Sequence, residues 1–107
     1  MKCYTGIMTN NQDESYQPKN EKEKRLVEAF ASLKTKDEVA NFLRDLLTIA
    51  EIEEFANRLE MVRLLIKGYS YQKIAKETGS STTTVTRVAH WLNHGCGGYK
   101  RVIDILK

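Results

Sequence analysis

Between residues 80 and 86 the chain reads SSTTTVT, a run of hydroxyl side chains broken by one valine. Thr82, Thr83, Thr84 and Thr86 each carry a hydroxyl that can donate or accept and a methyl that can meet another methyl. On the exposed face of a helix these groups suit contact with base edges and phosphates, including the 5-methyl of thymine. Ser80 or Ser81 is placed to cap that helix, and Val85, Val88 or Ala89, and Leu92 supply its buried side. Immediately upstream, YSYQKIAKETG gives a shorter helix with Ser70 as cap, Ile74 and Ala75 inward, and Gly79 at a tight turn. That spacing is what a helix-turn-helix requires, over residues 70–93. The second helix would enter the major groove of DNA with Ser81, Thr82, Thr83, Thr84, Thr86 and His90. Tyr71, Gln72, Lys73 and Lys76 would hold the backbone from the first helix. The plain alternative is a solvated, threonine-rich helix. It is disfavoured, because threonine is a modest helix former and a cluster of them on an exposed face brings no structural return.

His90 and His94 lie one helical turn apart and Cys96 follows, so three ligands could converge on a metal in a metal-responsive regulator. No fourth ligand accompanies them, and no metal site is expected. NHGCGG lacks the lysine and hydroxyl of a phosphate loop and is read as a helix stop. A Cys–His pair without an orienting third group gives no catalytic arrangement, so neither an enzyme nor a cofactor is expected. Glu51, Glu53 and Glu54 fit the electropositive first turn of a helix, which accounts for them without acid–base work.

The charge distribution agrees with a polyanionic partner. Residues 1–57 hold 8 Lys+Arg against 11 Asp+Glu, whereas residues 58–107 hold 9 against 3. The cationic half contains the hydroxyl run, and a face of that sign attracts nucleic acid. At 107 residues, 41% hydrophobic and 29% charged, the chain suits one small globular domain. No apolar run is long enough for a membrane or a signal peptide. Cys3 and Cys96 form no spaced framework, so reduced thiols and a cytoplasmic location are expected.

Six helices must position these groups. Residues 1–18, polar and ending at Pro18, read as a flexible tail, with Met8 an alternative start. Residues 19–107 read as a single helical DNA-binding domain. Leu26, Phe30 and Leu33 mark an amphipathic helix from Asn20 to about Lys34. TKDE places a capping box at Thr35 and Glu38 before the stripe Val39, Phe42, Leu43, Leu46 and Leu47. TIAE repeats the device at Thr48 and Glu51, followed by Ile52, Phe55, Ala56, Leu59, Val62, Leu65 and Ile66 up to Gly68. The last helix spans roughly Tyr99 to Leu106, with Val102, Ile103 and Leu106 apolar. So much apolar surface on a short chain favours a homodimer that completes its core with a second copy.

The run RLEMVRLLIKGYSYQKIAKETGSSTTTVTR, with the capped helix before it and HWLNHG after it, resembles the Trp repressor superfamily, and within it the Trp-repressor-like subgroup. The resemblance implies an all-α, six-helix fold, an intertwined homodimer, and a transcriptional repressor binding double-stranded DNA. It also implies an effector site for L-tryptophan, whose positions fall on Thr48, Arg58 and Arg87. Two positions depart from the pattern: Val88 stands where the family has glycine, and Trp91 where it has serine. Both add bulk where a ligand would need a cavity. Trp91 either borders or fills that site or is a core aromatic facing the previous helix, and on both readings the chain is expected not to depend on tryptophan. A helix-turn-helix adapter for a protein of the transcription machinery is the alternative from another class.

Overall fold

The computed structural model describes residues 15–106, so Cys3, Met8 and most of the N-terminal tail lie outside the described residues. Six helices follow in order: α1 (Glu21–Ser32), α2 (Lys36–Leu46), α3 (Ile49–Ile66), α4 (Tyr71–Thr78), α5 (Thr82–His94) and α6 (Gly98–Leu106). Among the described residues there is no strand. The chain divides into two compact units, Tyr16–Glu54 and Phe55–Lys107.

In the first unit, side-chain caps set the helix starts. Asn20 Oδ1 accepts from the Glu23 amide at 3.0 Å. Glu23 in turn accepts from the Lys19 amide and the Tyr16 hydroxyl, which together hold its carboxyl below the usual range. At α2 the expected capping box is present: Thr35 Oγ1 accepts from the Glu38 amide at 3.1 Å, and the Thr35 amide donates to Glu38 Oε1 at 3.3 Å. The box at Thr48 is equally complete, the Glu51 amide donating to Thr48 Oγ1 at 3.1 Å and the Thr48 amide to Glu51 Oε1 at 2.9 Å. Phe30 and Phe42 meet edge to face, centroids 5.1 Å apart. Yet no residue of α1 or α2 is buried.

The second unit holds the core. Met61, Val62 and Leu64 from α3, Ile74 and Ala75 from α4, Val85, Val88 and Leu92 from α5 and Ile103 from α6 form one buried cluster. Val62, Ile74 and Val85 are fully inaccessible. The α3 stripe differs from the expected one. Val62 is inside as read, but Met61 and Leu64 join it, while Phe55 and Ile66 are exposed. Six of the eight residues from Leu59 to Ile66 are apolar and point around most of the helix, so periodicity alone could not say which side faces α4 and α5.

Two glycine turns connect the elements. Gly68 (φ 91°) follows α3, with the Tyr69 amide donating to Leu64 O at 3.1 Å. Gly79 (φ 68°) follows α4, with the Ser80 amide donating to Ala75 O at 2.9 Å. Both are Schellman closures that satisfy helix-end carbonyls and need a left-handed residue.

Replacing Ile74 by alanine empties a fully enclosed position in this cluster. Urea denaturation should show a loss of about 2–5 kcal/mol. Gly79→Ala meets no neighbouring atom, so its cost is conformational alone, about 1–2 kcal/mol by the same measurement.

Candidate nucleic-acid interface

The turn Gly79 to Ser81 joins α4 to α5, and the two helices pack through Ile74, Ala75 and Val85. Of the two serines open as caps, Ser81 takes the role: its Oγ accepts from the Thr84 amide at 3.1 Å. Ser80 is half-buried and closes the turn through its backbone amide. Val88 and Ala89 are both buried, along with Val85 and Leu92, so the aliphatic side of α5 is fully spent on the core.

The opposite face carries the residues singled out by their chemistry. Ser81, Thr82, Thr83, Thr86, Arg87 and His90 are exposed, and Thr84 is half-buried. Their hydroxyls are not equivalent. Thr84 Oγ1 lies 3.1 Å from Ser81 Oγ, and Thr86 Oγ1 donates to Thr82 O at 2.9 Å. Among the described residues the side chains of Thr82 and Thr83 make no hydrogen bond. On α4, Tyr71, Gln72, Lys73 and Lys76 are all exposed, and Lys73 Nζ stands 5.0 Å from the centre of the Tyr69 ring. Helix α5 contains no acidic residue, and its N-terminal amides leave partial positive charge at the hydroxyl end.

One residue escaped the sequence reading. Asn57 of α3 donates its side-chain amide to Thr78 O, the last residue of α4, at 3.3 Å. It ties the end of α4 to α3. Asparagine is a poor helix former, and its position in the interior of α3 was the available signal.

Thr48 belongs to the Tyr16–Glu54 unit, and its hydroxyl is engaged with Glu51; Arg58 and Arg87 belong to the other unit. Arg58 lies over the Phe55 ring at 5.4 Å. Val88 is a core residue, whereas Trp91 is 60% exposed. Trp91 forms the rim of an open apolar groove of about 430 Å³ with Leu59, Tyr99 and Val102. His90 and His94 stack at 5.1 Å, and Cys96 is exposed with a free thiol. Among the described residues no group of three or more His, Cys, Asp or Glu could hold a metal ion. No described helix is long and apolar enough to cross a membrane.

A short helix, a three-residue turn and a second helix with one face in the core and one face polar define a helix-turn-helix protein. Comparison with known proteins makes this specific. The Trp repressor protein family matches residues 21–107, and the chain belongs to that family. It is 43% identical over 83 residues to the uncharacterized protein YerC of Bacillus subtilis (strain 168), covering 78% of this chain and 80% of YerC. Among solved structures it is similar to a TrpR-like protein from Eubacterium eligens ATCC 27750, with TM-score 0.77, 40% identity, and 82% and 91% of the two chains covered. A proposed Trp repressor from Staphylococcus aureus gives TM-score 0.76 at 31% identity, covering 82% of this chain and 88% of the other. The six-helix fold is thus Trp-repressor-like.

Ser81→Ala removes the acceptor that caps α5. Thermal or urea denaturation should register a loss of about 1 kcal/mol.

Proposed function

We propose that this protein is a homodimeric, sequence-selective DNA-binding regulator of transcription, acting as a repressor in the cytoplasm rather than as an enzyme. One observation carries the reading. Helix α5 commits Val85, Val88, Ala89 and Leu92 to the core and turns a hydroxyl-bearing, acid-free face outward, beside the cations Lys73 and Lys76 of α4. Membership of the Trp repressor family supports it. In this reading Ser81, Thr82, Thr83, Thr84, Thr86 and His90 of α5 meet the major groove, and Tyr71, Gln72, Lys73 and Lys76 of α4 fix the register on the backbone.

The apolar surface left uncovered supports an intertwined dimer. Leu26, Val27 and Phe30 on α1, Leu46 on α2 and Ile105 and Leu106 on α6 are all exposed in the single chain. Monomeric soluble proteins rarely leave so much apolar surface open, and a second copy that exchanges helices covers it. The effector positions Thr48, Arg58 and Arg87 match the family in type, but Val88 fills the core where a ligand would need room. Regulation is accordingly assigned to something other than L-tryptophan, and calorimetry should detect no tight binding of the free amino acid.

Titration of the full chain on duplex DNA at several salt concentrations tests the reading. Affinity should fall steeply as salt rises, because each neutralised phosphate releases counterions. Lys76→Ala should weaken all sequences alike and reduce the slope of log K against log salt by about 1. Salt-independent association would reject DNA as the partner. The single tryptophan offers a check on the dimer: Trp91 emission should shift to the red on dilution as its exposed ring loses the second chain.

A further inference from the structure

Resting on the DNA-binding reading, we infer that α5 selects its site through the methyl groups of thymine, met by the side chains of Thr82 and Thr83.

The inference starts from which hydroxyls are already spent. Ser81 Oγ accepts from the Thr84 amide and is hydrogen-bonded to Thr84 Oγ1. Thr86 gives its hydroxyl hydrogen to Thr82 O. These three side chains build the helix start. Only Thr82 and Thr83 of the run are exposed with side chains that make no hydrogen bond among the described residues. Their side chains remain available in full.

The residue types then restrict what can be read. Bidentate recognition of guanine needs Arg or Lys, and that of adenine needs Asn or Gln. The leading segment of α5, Ser81 to Thr86, contains none of the four. A threonine hydroxyl either donates or accepts, so it adapts to several base edges and discriminates weakly. The threonine methyl has no such latitude. In the major groove its apolar counterpart is the 5-methyl of thymine, which cytosine and uracil lack. The discriminating contact left to this segment is therefore methyl against methyl.

The test begins with duplexes enriched from a random-sequence pool by the full-length protein. In the best of them each thymine is replaced, one at a time, by deoxyuridine, which removes the methyl and keeps every hydrogen-bonding group. Burying one methyl group is worth roughly a fourfold change in affinity. The expected result is a loss of about fourfold at one or two thymines in each half-site and none elsewhere. Thr82→Ser and Thr83→Ser keep the hydroxyl and should abolish that difference at their respective positions. Thr84→Ser, whose side chain is half-buried and bonded to Ser81, should preserve it. Circular dichroism on each variant confirms that the helices are intact. Selective binding that is indifferent to every thymine methyl overturns the inference alone, as does a thymine dependence that survives in both serine variants. Failure to bind any duplex at low salt overturns the DNA-binding reading and the inference together.

Discussion

The structure depends on one contact set: Val62 of α3, Ile74 of α4 and Val85 of α5, three branched side chains with no access to solvent. They meet where the two helices of the helix-turn-helix and their support come together. Burial of each is worth about 1.5–3 kcal/mol, which is large against the stability of a small domain. β-Branched side chains have few rotamers, so their packing fixes the rotation of α5 about its own axis. That rotation decides which of its residues face water. With Val85, Val88, Ala89 and Leu92 inward, Thr83 falls on the far side of α5 and Thr86 on its flank, and Thr82 in the first turn is exposed as well.

Local backbone chemistry sets the angle between the helices that this cluster then clamps. Gly79 adopts the left-handed conformation, the Ser80 amide closes on Ala75 O, and Ser81 starts the next helix by accepting from Thr84. Asn57 adds a bond from α3 to the end of α4. Each element is weak by itself. Together they allow the turn little freedom, and the proposed role of α5 would need that rigidity because hydrogen bonding and methyl contact are sensitive to displacement. The apolar exterior of α1 and α2 stands in contrast: well-formed caps hold two helices that bury nothing of their own within the single chain.

Much of this was legible in the amino-acid sequence. The capping boxes at Thr35 and Thr48 and the glycine stop at Gly79 are short-range devices, complete within a few residues, and the structure shows each of them. The order of six helices follows from them. What was not legible depended on contacts between distant segments. The inward side of α3 includes Met61 and Leu64 because α4 and α5 happen to meet it there, and a helix end apolar around most of its girth hides that choice. The choice between Ser80 and Ser81 as cap turned on where the Schellman bond falls. The inequality among the threonines required the hydrogen-bond pattern, since four identical side chains look alike in sequence. Trp91, read as bordering or filling a ligand site or as a core aromatic facing the previous helix, lines an open apolar groove and is largely exposed, a placement that depends on segments distant in sequence.

The most direct test is amide chemical-shift mapping of the full-length protein by nuclear magnetic resonance as a short duplex is added. A face of α5 held outward by its aliphatic side should respond first, with the largest changes at Thr82, Thr83 and Thr86 and smaller ones at Lys73 and Lys76. Changes centred on Trp91, Tyr99 and Val102, with the threonines undisturbed, would contradict the account.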